Sequence, residues 1–209
     1  MLQQDAVESR TLALIRQFHK DKMLQGFALA GGTALALYLG HRKSEDIDLF
    51  TEDDFDAGKL LEYLEEKYRF SVQYTDENTL KGFVDGVFVD MITHNYPLVA
   101  EKKVVEDIRI YSEQDIAAMK VNAIAGDGTR IKDFIDIYFL LKRYSLSEII
   151  SFYALKYGSR NEFHAIKSLG YFDDLDPDPA WPVMLKEKNL SLEQIKSTIS
   201  RAIANYIKE

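Results

Sequence analysis

Residues 31–50 read GGTALALYLGHRKSEDIDLF, and no other segment constrains the fold as tightly. A glycine pair opens a short apolar run of helical character. Asp46 and Asp48 then stand two apart at the start of a strand. Side chains two apart on a strand share a face, so the two carboxylates converge while Ile47 and Leu49 turn into a core. Oxygen pairs of this kind suit hard divalent cations such as magnesium. Glycines at a helix start leave backbone N–H groups bare, where phosphate oxygens bind well. A phosphate turn and a metal pair in one segment point to chemistry on a nucleoside triphosphate.

The chain has 209 residues, 46% of them hydrophobic, enough for a core in one domain or two small ones. It has no cysteine, which excludes a disulfide framework and thiolate metal sites and fits the cytoplasm. The first 22 residues mix charge with apolar positions at helical spacing, and read as neither a signal peptide nor a membrane span. No apolar run elsewhere is long enough to cross a bilayer, so no membrane partner is expected. The net charge of −8 argues against a protein that coats nucleic acid nonspecifically, but leaves room for RNA bound through a local patch. Phenylalanine and tyrosine number 12 each. Without basic residues between them they read as core rather than as a base-stacking platform. The four histidines, His19, His41, His94 and His164, show no metal-ligand spacing.

Hydrophobic periodicity predicts the elements. Leu12, Ile15 and Phe18 mark an amphipathic N-terminal helix. Phe27–Ala30 reads as a strand, Thr33–Leu39 as a helix and Ile47–Phe50 as a second strand. Asp54–Tyr68 reads as a helix with Leu60, Leu61 and Leu64 inward. Three strands are expected at Phe70–Tyr74, Leu80–Val84 and Val87–Thr93, the last two joined through Asp85-Gly86, a strong hairpin signal. Ile108–Tyr111 reads as a last short strand. From Glu113 onward the pattern is helical, at 113–126, 132–144, 147–157, 161–169 and 191–207, while Asp173–Pro182 reads as a loop. The expected fold class is α+β: a mixed β-sheet with flanking helices over residues 1–112, followed by a helical bundle over 113–209.

Asp90 sits in Val87-Phe88-Val89-Asp90-Met91-Ile92 with apolar neighbours on both sides. A lone carboxylate there is costly to bury unless a charge or metal satisfies it; otherwise the strand is an edge and Asp90 faces water. If this strand pairs beside the one carrying Asp48, three carboxylates can surround the same ions. Gly31 and Gly32 need unusual backbone angles for a tight turn, and that turn aims the N–H groups. Thr33 caps the helix or touches phosphate, capping being the simpler role. Arg42, Lys43 and Ser44 are either phosphate contacts or a solvated loop. Further on, Lys120 lies on the apolar stripe of Ala117, Val121 and Ile124. An inward lysine generally has a partner. Asp133 and Asp136 are three apart, hence on one helix face. One of them forms an internal salt bridge with Lys120, or the group closes over a triphosphate, or both.

These residues resemble the nucleotidyltransferase fold of the DNA polymerase β superfamily. The blocks Asp115-Ile116-Ala117-Ala118-Met119-Lys120 and Arg130-Ile131-Lys132-Asp133-Phe134-Ile135-Asp136 narrow the resemblance to the AbiEii/AbiGii toxin family, which supplies toxins of type IV toxin–antitoxin and phage-abortive-infection systems. The match runs from about residue 27 to 144. The resemblance implies that Asp46 and Asp48 hold magnesium, as two ions, with Asp90 as third acid and general base. It implies that Gly31, Gly32 and Thr33 receive the triphosphate, that Lys120 contacts phosphate, and that Asp133 or Asp136 completes the site. The implied reaction moves a nucleoside monophosphate from an NTP to an acceptor hydroxyl, on tRNA or another RNA, with an antitoxin encoded nearby. The alternatives are a small-molecule nucleotidyltransferase of the antibiotic-modifying kind, a glycosyltransferase using Asp-x-Asp, and an inert NTP-binding scaffold.

Overall fold

The computed structural model describes residues 1–158, 162–176 and 180–208. The chain divides into two units, Met1–Tyr96 with Lys102–Tyr111, and Pro97–Glu101 with Ser112–Glu209.

In the first unit, α1 (Ser9–Lys20) buries Leu12, Ile15 and Phe18 as the periodicity predicts. Its His19 is also buried, at 6% exposure, and neither ring nitrogen has a hydrogen-bond partner. Burial, with the Arg109 guanidinium nearby, lowers its pKa from 6.5 to about 3. The folded protein therefore resists a proton that the unfolded chain accepts. Stability is full above pH 6.5 and declines as pH falls towards 3, by about 1.36 kcal/mol per unit. Urea denaturation should show a loss of roughly 2 kcal/mol between pH 7 and pH 5 from this group. His19→Leu should remove that part of the slope; an unaltered slope would place the acid sensitivity elsewhere.

Seven strands form one sheet: β1 (Ala28–Leu29), β2 (Ile47–Thr51), β3 (Ser71–Asp76), β4 (Thr79–Val84), β5 (Val87–Thr93), β6 (Lys103–Val105) and β7 (Ile108–Ile110). Their order is β3-β4-β5-β2-β1-β7-β6. The pairs β2–β5 and β1–β7 are parallel and the others antiparallel, so the sheet is mixed, as expected. Alternation along β2 and β5 is clean. Ile47, Leu49, Val89 and Met91 are buried, while Asp48, Phe50, Asp90 and Ile92 share the opposite, half-buried face.

The β4–β5 hairpin turns at Asp85 and Gly86, with φ of 48° and 78°. Two positive φ values define the two-residue turn that the Asp-Gly pair favours. β6 is an addition to the expected set. Its hairpin with β7 turns at Glu106 and Asp107, with φ of 53° and 67°, so the turn carries no glycine to betray it. α2 (Gly31–Leu39) starts at the glycine pair itself, buries Thr33 to Leu37 and Leu39, and ends at Gly40 in the left-handed region. α3 (Ala57–Tyr68) starts later than Asp54, because the Asp56 side chain caps it by accepting from the Lys59 N–H. Leu60 and Leu64 are buried. Leu61, expected inward, is only half-buried, since one residue along a helix is about 100° off that line.

The second unit is helical: α4 (Glu113–Gly126), α5 (Ile131–Leu140), α6 (Leu146–Tyr157), α7 (Glu162–Leu169) and α8 (Leu192–Tyr206). α4 packs against α5, α6 and α7, and α8 against α5 and α6. α5 stops short of the expected residue 144, because Ser145 and Glu148 form a capping box that opens α6. Ser191 and Gln194 do the same for α8. The described part of Asp173–Pro182 holds neither helix nor strand; residues 177–179, like Asn161 at the expected start of α7, lie outside the described residues. At the heart of this unit Lys156 Nζ donates to Asp115 Oδ1 at 2.8 Å and to the Pro97 carbonyl at 3.1 Å. Asp115 also accepts from the Val99 and Ala100 N–H groups and from Ser112 Oγ, which holds the 97–101 segment to α4. No described helix is long and apolar enough to cross a membrane.

Candidate active site

The strand-to-helix turn fixes the first half of the site. The Ala30 N–H donates to the Asp48 carbonyl at 2.9 Å, and the chain then turns at Gly31 with φ +64°. A Cβ at Gly31 would lie 1.8 Å from Asp48 Oδ2 and 2.6 Å from its Cγ. Glycine is thus required both by the backbone angle and by a carboxylate set directly against the turn. At Gly32 a Cβ would meet Arg42 Nη2 at 2.6 Å, so a guanidinium lies against the second glycine. Gly31→Ala should force Asp48 aside, and a displacement of that size costs about 10²-fold in rate. The left-handed strain adds about 1–2 kcal/mol. Nucleotide transfer measured beside thermal unfolding checks this, with activity falling much more than stability.

The sheet supplies the second half. In the β2–β5 register Asp48 stands opposite Asp90, and neighbouring strands lie about 4.8 Å apart, so the carboxylates are side by side. Lys81 Nζ donates to Asp90 Oδ2 at 2.8 Å. Asp90 Oδ1 is buried without a hydrogen-bond partner. Burial pushes the Asp90 carboxyl above its usual range, against the Lys81 hydrogen bond and charge, which pull it down. A buried, unsatisfied carboxylate oxygen beside a second carboxylate is costly. An all-oxygen pair with one oxygen left over fits a hard divalent cation.

Asp46 is not held in that register. It is exposed and lies just ahead of the first paired residue of β2, so the sheet does not hold its side chain. Among the described residues no three His, Cys, Asp or Glu side chains are grouped to hold a metal. The sheet holds Asp48 and Asp90 in register, and Asp46 stands on the exposed segment that leads into β2. Thr33 is not a cap either. Ala30 occupies the N-cap position, and the buried Thr33 hydroxyl donates to the Asp46 carbonyl and lies 2.9 Å from Ser44 Oγ. Thr33 positions the segment leading into Asp48. Arg42 is 2% exposed, which overturns the solvated-loop reading for that residue; Ser44 is half-buried.

The second unit gathers the other constellation. Lys120, 5% exposed, places Nζ 2.6 Å from Asp133 Oδ1 and 2.8 Å from Asp136 Oδ2. Arg130 Nε lies 3.1 Å from Asp133 Oδ2. The internal salt bridge is present with both aspartates rather than one.

Sequence reasoning missed Lys81 and the burial of Arg42. A signal for Lys81 existed. The Asp85-Gly86 turn pairs Val84 with Val87, and the antiparallel register then sets Lys81 opposite Asp90. Arg42 had no such signal, because its burial depends on a missing side chain at Gly32.

A mixed sheet that carries acids on its central strands, beside a glycine turn opening a helix, is the architecture of a nucleotidyltransferase. The chain belongs to the AbiEii family, described as "Nucleotidyl transferase AbiEii toxin, Type IV TA system", which matches residues 13–90 and 82–205. An uncharacterised protein of Aquifex aeolicus (strain VF5) is 32% identical over 193 residues, 87% of this chain and 88% of that protein. Among solved structures, MenT4, a nucleotidyltransferase toxin from Mycobacterium tuberculosis H37Rv, superimposes with a TM-score of 0.61 at 15% identity, covering 97% of this chain and 86% of that one. JHP933 from Helicobacter pylori gives 0.56 at 18% identity, covering 97% and 94%. At these identities the two structures speak for the fold.

Proposed function

We propose that the protein is a metal-dependent nucleotidyltransferase that moves a nucleoside monophosphate from a triphosphate such as ATP onto a hydroxyl of RNA, tRNA first among them. In this reading it is the toxin of a type IV toxin–antitoxin pair acting in the cytoplasm. One observation carries the chemistry: Asp48 and Asp90 paired in register, with Asp90 Oδ1 buried and unsatisfied. Asp48 and Asp90 would hold magnesium, with Asp46 available from the segment before β2. Two magnesium ions held there would supply a lowered pKa for the acceptor hydroxyl and positive charge against the departing pyrophosphate. Gly31 and Gly32 offer backbone N–H groups to the phosphates. Asp90 takes the acceptor's proton.

The test supplies each α-labelled triphosphate with magnesium to total RNA and, separately, to a panel of aminoglycosides and other small hydroxyl compounds. Label on RNA, with untemplated nucleotides at sequenced RNA ends and none after chelation, supports the reading. Label on small molecules alone overturns the RNA acceptor, and label unaffected by chelation overturns the metal.

A further inference from the structure

A row of three rings starts at Phe50, on the carboxylate-bearing face of the sheet. Phe50 follows Asp48 by two residues on β2 and so shares its face. His94 follows the end of β5, and its N–H donates to the Thr51 carbonyl at 2.6 Å, which ties it beside β2. The Phe50 and His94 ring centroids are 5.5 Å apart with planes tilted by 35°. The His94 and Tyr96 centroids are 4.8 Å apart, tilted by 46°. The row begins half-buried at Phe50 and ends at Tyr96, which is 46% exposed. Tilted rings at these spacings pack against one another, which leaves Tyr96 at the exposed end of the row.

The position of this row has a chemical meaning if Asp48 and Asp90 hold the reacting phosphate, so the inference rests on the nucleotidyl-transfer reading. Ala30 lies beside Asp48, whereas Ala28 lies opposite Phe50. Moving along β2 from Asp48 to Phe50 therefore leads away from the Gly31 turn. A triphosphate with its tail at the glycines and its reacting phosphorus at the carboxylates must carry its nucleoside elsewhere. The row lies in the direction left open, about two strand residues, or roughly 6.6 Å, beyond Asp48.

We infer that Phe50, His94 and Tyr96 form a nucleobase-stacking subsite, with Tyr96 as its outer contact. The ligand chemistry is the flat face of a purine or pyrimidine. Stacking is tolerant of base identity because every base has a π face. Two sources can supply that face: the incoming triphosphate, or the terminal base of an RNA acceptor.

The experiment compares wild type with Tyr96→Leu and Tyr96→Phe. Equilibrium binding is measured for ATP and for inorganic tripolyphosphate, each with magnesium, and KM is measured for ATP and for RNA. If the triphosphate's base occupies the row, Tyr96→Leu weakens ATP binding about tenfold. It leaves tripolyphosphate binding unchanged, and Tyr96→Phe retains wild-type affinity. If the acceptor's base occupies it, ATP binding is unchanged and the KM for RNA rises by a similar factor. Equal ATP affinity and equal KM for RNA in Tyr96→Leu overturn the subsite while leaving the transfer reading intact. A wild-type protein that binds neither ATP nor tripolyphosphate overturns both.

Discussion

Asp48→Asn should abolish nucleotide transfer, by on the order of 10³-fold, while leaving the fold as stable as wild type or slightly more so. The substitution keeps the shape of the side chain, so the contact against the Gly31 turn survives. It removes one negative charge from a pair held in register on adjacent strands. Like charges at that separation repel, and the Lys81 ammonium lies against Asp90 in the hydrogen-bonded pair. A residue kept for folding would show the reverse pattern, with stability falling along with activity. Transfer of α-labelled nucleotide, measured beside thermal unfolding, separates the two. Undiminished transfer would remove Asp48 from the site altogether.

Lys156→Met is expected to cost about 3–5 kcal/mol of folding stability. Lys156 and Asp115 are both fully buried at the side chain. The lysine bridges the Asp115 carboxylate and the Pro97 carbonyl. Removing the ammonium leaves a buried carboxylate with neutral donors only: two backbone N–H groups and the Ser112 hydroxyl. Those donors soften the loss but do not neutralise the charge. The double variant Lys156→Met with Asp115→Asn should recover a large share of it, because the cost lies in the unpaired charge rather than in the missing bond. Urea denaturation of wild type, both single variants and the double variant measures the coupling. A single-variant loss below about 1 kcal/mol would mean that the three donors suffice.

Local features were legible in the sequence for a common reason. Leu12, Ile15 and Phe18, the Asp85-Gly86 turn and the Gly31 turn each depend on backbone angles and side-chain period within a few residues. Lys120 was legible as a paired lysine because a charge on an apolar stripe must find a partner, and Asp133 and Asp136 stood on one face of a nearby helix. β6 was not legible, because its turn takes left-handed angles at Glu106 and Asp107 without glycine. The collection of acids was legible only in part. The spacing of Asp46 and Asp48 placed them on one face, but the sheet begins at Ile47 and so holds Asp48 and leaves Asp46 exposed.

By itself the sequence determined the order of elements other than β6, the glycine turn and the helical character of the second half. Each follows from short-range sterics and from the need to bury apolar faces. Tertiary structure alone decided that β5 lies beside β2 in parallel, with Asp90 in register with Asp48, and that Arg42 fills the space over Gly32. The two strands are separated in the chain by α3 and the β3–β4 pair, and their register is set by how Ile47, Leu49, Val89 and Met91 pack beneath the sheet. A one-residue slip would send Asp90 to the buried face. The cooperative packing of distant side chains places the two carboxylates together, and no local pattern encodes it.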